Sequence, residues 1–164
     1  MLKYAATALE AMVKQVWPQS LGQFSPPEIW KAVHIFFQKA DPDIELHTLN
    51  DDLIGFFNSV PQNKLLEAVH ILVRDWHSIY GTTTIQVEVN NANFHQRNIT
   101  AGKPNRNNFD VSKTHMIHIF DLPDIVKLSF DSCIFQALGQ IFQQHRGTGI
   151  GNQMSAVVSN LQLH

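Results

Sequence analysis

PQNKLLEAVHILVRDWHSIYGTTTIQVEV, residues 61–89, sets a helix directly before a strand, and its reading decides the fold class. Pro61 opens a long helix that runs through Tyr80. Leu65, Leu66, Val69, Leu72, Val73 and Trp76 recur at the three- and four-residue spacing of one buried face. From Thr82 the period changes to two. Thr83, Ile85, Val87 and Val89 alternate with Thr82, Thr84, Gln86 and Glu88, the pattern of a strand with one face covered.

Upstream, Tyr4 to Trp17 reads as an amphipathic helix on Leu9, Met12, Val13 and Val16, stopped by Pro18. Ser25-Pro26-Pro27-Glu28 is a capping box, in which the Ser25 hydroxyl accepts from a free N–H while Glu28 reaches back. The helix that follows carries a wide apolar face of Ile29, Trp30, Val33, Phe36 and Phe37, and Asp41-Pro42-Asp43 ends it. Ile44 to Leu53 alternates as a strand, and Gly55 marks a turn. Downstream, Asn90 to Asp110 is polar and Asn-rich and is expected to be a long or poorly ordered loop. Lys113 to Phe120 suits a strand, and a short helix runs from about Pro123 to Cys133. Two short strands flank Gly139, and a final helix covers Ser155 to Leu163.

No repeat and no regular βαβ alternation appears. The expected class is therefore α+β, with helices packed on a small, mostly antiparallel sheet. Residues 1–43 form an N-terminal helical segment. Residues 44–164 form the rest, with a polar insertion at about 90–112.

The composition supports a packed core: of 164 residues 44% are hydrophobic and 16% charged. No apolar run approaches the ~18–20 residues that span a bilayer, and the N-terminus does not read as a secretory signal. An intracellular protein, nuclear or cytoplasmic, is expected. The single cysteine, Cys133, excludes an internal disulfide and a cysteine-rich zinc knuckle. The net charge of −2 argues mildly against broad nucleic-acid binding. Locally, Arg97, Lys103, Arg106 and Lys113 stand against one acid, Asp110. They read either as a solvated loop or as a phosphate-facing patch. His115 and His118 would point to opposite faces of a strand, a poor zinc geometry.

Two segments carry candidate chemistry. In Asn50 to Pro61, Asp51 and Asp52 end a strand and are followed by Gly55, Phe56 and Phe57. Solvated aspartates at a strand end, or ligands of a divalent cation, both fit. In Gln144 to Ser155, a glycine-rich run opens a helix and lets backbone approach a ligand closely.

The first segment resembles the opening palm motif of reverse transcriptases: an Asp, four residues, an aromatic, then Val-Pro before a helix. Asp52, Phe57, Val60 and Pro61 fall on it. The second resembles the Gln-x-x-Gly-Thr-x-x-Gly palm motif of Penelope-like reverse transcriptases and relatives, and Ile125 to Phe142 is similar to the lead-in of that group. The resemblance spans Ile44 to His164 loosely and is specific in the two motifs.

It implies a partial fingers–palm of an RNA-directed DNA polymerase, a nucleotidyltransferase of retroelement type, with residues 1–43 fingers-like. Asp52 would be the catalytic metal ligand, with the Leu53 carbonyl on a second Mg²⁺ of a two-ion site. Gly55, Phe56 and Phe57 would bind deoxynucleoside triphosphate, Phe57 as the gate against a ribose 2′-OH. Arg146, Gly147 and Thr148 would line the same nucleotide. Arg97, Lys103, Arg106 and Lys113 would face an RNA or DNA template–primer.

Arg146 departs from the usual Gln, and Ala156 from a common Pro. The aromatic-x-Asp-Asp motif is expected after the final helix, beyond His164, so the 164-residue chain is expected to be inactive alone. The rival expectation is a non-enzymatic nucleic-acid- or protein-binding α/β module.

Overall fold

Leu65, Val69, Leu72 and Trp76 lie fully buried along one side of the helix Gln62–Tyr80, and the rest of the fold is built against that side. The computed structural model describes residues 1–18, 26–40, 59–93, 96–104, 113–149 and 154–161. The helices are α1 (Leu2–Val16), α2 (Pro26–Lys39), α3 (Gln62–Tyr80), α4 (Leu122–Asp131) and α5 (Ser155–Asn160). The strands are β1 (Thr84–Asn93), β2 (Gln96–Gly102), β3 (Thr114–His118), β4 (Ile134–Ala137) and β5 (Gln140–Gln143). The class is α+β, and no described helix is long and apolar enough to cross a membrane.

Helix α3 ends where the sequence changes period. Gly81 takes the left-handed conformation (φ 64°), and its N–H donates to the His77 carbonyl at 2.8 Å, closing the last turn. Trp76 remains tied across that turn, its indole N–H donating to Thr82 Oγ1 at 3.1 Å. The chain then enters the sheet of order β2-β1-β3, antiparallel throughout. Val87 stands opposite Ala101 on one side and His115 on the other. Ile85 and Val87 are fully buried on one face, while Gln86 and Glu88 lie on the other, where Gln86 is also buried and its amide donates to Glu88 at 2.6 Å.

Against Ile85 and Val87 pack Leu9, Met12 and Val13 of α1, the α3 stripe, Val126 and Phe130 of α4, and Val158 of α5. Each such side chain contributes roughly 1.5–3 kcal/mol when fully buried. Ala5 and Ala8 are also fully buried, and their small size lets α1 approach the core closely.

The loop expected over 90–110 is corrected in part. Strand β1 runs on to Asn93, and Gln96–Gly102 returns as β2. The pairing places Val89 opposite Ile99 and Val87 opposite Ala101, and α1 packs on β2. The backbone ladder outweighs the low strand propensity of the asparagines. The other boundaries agree within a few residues. A single 3₁₀ turn, Ile119–Asp121, links β3 to α4. The strand expected over 44–53 and the residues of the capping box other than its prolines and Glu28 lie outside the described residues, as do the side chains of Pro26 and Glu28.

A second, two-stranded sheet pairs β4 with β5. Its tip holds two successive positive φ values, Leu138 at 52° and Gly139 at 76°. That is the handedness a two-residue hairpin turn requires, and it strains the leucine. Phe135 and Phe142 stack across the pair at 5.6 Å.

Candidate functional site

Strand β5 leads out of the hairpin into Gln144 to Thr148, and this segment docks on the residues that precede α3. Pro61 and Arg146 form an antiparallel bridge. The Gly147 amide donates to the Val60 carbonyl at 2.8 Å. The side-chain amide of Gln62 then donates to the carbonyls of Gln144 and Gly147, each at 3.2 Å. The Gly147-to-Val60 bond flanks the Pro61–Arg146 pair, so the missing proline N–H costs this pairing nothing. Gly147 is buried and adopts φ 67°, a conformation that a residue with a Cβ enters at a cost of about 1–2 kcal/mol.

Thr148 turns inward. It is only 2% exposed, and its hydroxyl lies 2.5 Å from Ser155 Oγ and 3.3 Å from Ser159 Oγ. Ser155 and Ser159 sit one turn apart on α5, so three buried hydroxyls satisfy one another. Thr148 therefore fixes the loop to α5. Of the three residues expected at a nucleotide here, Arg146 keeps an exposed side chain, while Gly147 is buried with its amide and carbonyl bonded to Val60 and Gln62.

Asp52, Leu53, Gly55, Phe56 and Phe57 lie outside the described residues, as do Asp51 and Arg106. Of the expected nucleic-acid contacts, Arg97 is on β2 opposite Asn91. Lys103 follows β2 and Lys113 precedes β3, so they fall on opposite sides of β1. The Lys103 ammonium sits 3.8 Å above the centre of the Tyr80 ring, whose hydroxyl donates to the Gln15 carbonyl at 3.2 Å. His115 and His118 face opposite ways, as their spacing requires. His115 stacks on Tyr4 at 4.4 Å, while His118 lies beside Phe120 with Nδ1 3.8 Å from Asp121. No three His, Cys, Asp or Glu converge on a metal position among the described residues.

A cavity of about 370 Å³ opens elsewhere, beside the end of α1, with Trp17, Ala68, Ile71, Asp75 and Leu161 in its wall. Its polar rim is self-paired: the Trp17 indole N–H donates to Asp75 at 3.4 Å, and Lys64 bonds Glu67 at 2.7 Å. Donation from Lys64, then its positive charge, holds the Glu67 carboxyl below its ordinary value.

Sequence reading missed two contributors. Gln62 had no signal beyond being the polar residue straight after Pro61. Tyr80 reads only as the last residue of the long helix. No protein-family model matches the chain, and no curated protein matches it.

Proposed function

We propose that the chain carries part of the nucleotide pocket of a reverse transcriptase-like, RNA-directed DNA polymerase. The observation that carries this reading is the joint between Val60-Pro61-Gln62 and Gln144 to Gly147. The two segments with palm-motif resemblance are distant in sequence, and chance matches have no reason to meet. Phe57 precedes Val60 by three residues, a span of at most about 11 Å of extended chain. The covalent chain therefore limits how far Phe57 can lie from the joint, as a shared site would need.

In this reading Asp52 and the Leu53 carbonyl hold Mg²⁺, and Gly55 and Phe56 face the triphosphate. The bound ions would stabilise the attacking and leaving oxygens of phosphoryl transfer. Phe57 excludes the ribose 2′-OH. Arg146 presents its guanidinium to the nucleotide or template, and Gly147 lets the loop that carries it pack closely on Val60. RNA or DNA template–primer runs past Arg97, Lys103, Arg106 and Lys113.

The test is equilibrium binding of a deoxynucleoside triphosphate with Mg²⁺. Binding should weaken about tenfold or more in Asp52→Asn, the loss of a charge-assisted ligand. Phe57→Ala should bring ribonucleotide and deoxynucleotide binding together. No binding at millimolar nucleotide, or binding indifferent to Asp52→Asn, would reject the polymerase reading. The second reading, a protein-binding α/β module, is favoured by one observation: the apolar stripe of α2 is exposed.

A further inference from the structure

Helix α2 leaves Ile29, Trp30, Val33, Phe36 and Phe37 between 39 and 73% exposed. At 100° per residue all five fall within about 60° of Val33, on one stripe. Lys31 and Gln38 lie on the far side, where Gln38 and His34 side chains meet at 3.0 Å. Ile35, also exposed, is the one large apolar residue off the stripe. A fully buried aromatic covers 150–250 Å², so the stripe exposes on the order of 500 Å² of apolar surface. That is near the upper limit of the largest patch on a typical monomer, about 300–600 Å².

We propose that α2 is a homodimer interface, covered by α2 of a second copy of this chain packed antiparallel about Val33. The stripe is symmetric about that residue. Ile29 and Trp30 precede it by four and three positions, and Phe37 and Phe36 follow it by the same intervals. A two-fold axis at Val33 therefore seats Ile29 and Trp30 of each copy on Phe36 and Phe37 of the other. The smaller Val33 side chains meet at the centre and let the helix axes approach to the usual 8–10 Å. An isologous contact needs this self-complementarity; an unrelated partner would need none. The stripe holds no charge, so nothing in it repels its own copy. Complete burial of both stripes would cover about 1,000 Å², at the low end for a specific interface, which suits a weak and reversible dimer.

The test is sedimentation equilibrium of the 164-residue chain from roughly 1 to 100 µM, a range that brackets a micromolar dissociation constant. A reversible monomer–dimer equilibrium is expected. Trp30→Glu and Val33→Arg should each weaken it about tenfold or more, with the far-ultraviolet circular dichroism unchanged. In a Cys133→Ser background, Val33→Cys should cross-link into a disulfide dimer on mild oxidation, because the axis brings the two copies of that residue together. Lys31→Cys, on the far side, should not. A monomer throughout the range, a dimer indifferent to Trp30→Glu, or equal cross-linking by Lys31→Cys would overturn the proposal. None of these outcomes bears on the nucleotide reading, to which α2 contributes no residue.

Discussion

Gln62 and Gly147 stand 85 positions apart in the chain, yet the Gln62 side-chain amide donates to the Gly147 carbonyl at 3.2 Å. The same amide also serves Gln144. One side chain thus holds both ends of the candidate nucleotide loop to the start of α3.

Gln62→Leu removes both of these hydrogen bonds while keeping the bulk. A net loss of about 1–3 kcal/mol is expected, from about 0.5–1.5 kcal/mol for each of the two bonds. Urea unfolding with an unchanged m-value should show it as a lower midpoint. If the joint shapes a nucleotide site, the same variant should also weaken nucleotide binding.

Thr148→Val keeps the shape of a fully buried side chain and deletes its hydroxyl. Ser155 and Ser159 then lose their shared partner in the interior. The expected destabilisation is about 1–3 kcal/mol, the cost of stranding a buried polar group. A stability within error of the parent would show that the two serines pair equally well with each other.

Neutralising Arg97, Lys103, Arg106 and Lys113 together should flatten the salt dependence of duplex DNA binding. The logarithmic slope should fall by about 0.9 for each phosphate that is no longer neutralised. Lys103→Gln alone should also cost about 0.5–1 kcal/mol of stability, because it removes the cation held over Tyr80. An unchanged salt slope would mean that these residues form a solvated hairpin and nothing more.

Lys64→Met should raise the Glu67 pKa toward its ordinary value, since donation from Lys64 is the larger cause of its depression. A depressed folded-state pKa favours the folded chain above the ordinary carboxylate pKa. That contribution disappears as pH falls through the folded value. Carbon-detected NMR titration of the Glu67 carboxyl reads both directly, and a curve unmoved in Lys64→Met would refute the pairing.

Helix α3 and the first half of β1 are legible because their apolar spacing switches cleanly from helical to alternating around Gly81. The second half of β1 is not. Asn90, Asn91 and Asn93 give no alternating signal, and only the pairing with Gln96–Gly102 makes them a strand. For α2 the spacing identifies an apolar face but cannot say what covers it, so a core-like stripe is found exposed. The glycine-rich segment is legible as a close-approach site from Gly147 itself. Its partner is not, because no local pattern around Val60 and Gln62 points to a residue so far along the chain. Thr148 reads as a ligand-facing residue by resemblance, whereas the hydroxyls of Ser155 and Ser159 draw it inward.

The strand pairings and the joint also set an order in time. In both described sheets the paired residues lie at most 34 positions apart, as Thr84 and His118 do, and β1–β2 and β4–β5 are hairpins. The joint instead closes 85 residues, at an entropic cost of about 4 kcal/mol before constant terms. The hairpins are therefore expected to form early and the joint late. Amide hydrogen exchange at Gly147 should accordingly be faster than in the middle of β1. The joint would therefore assemble after the hairpins and open before them.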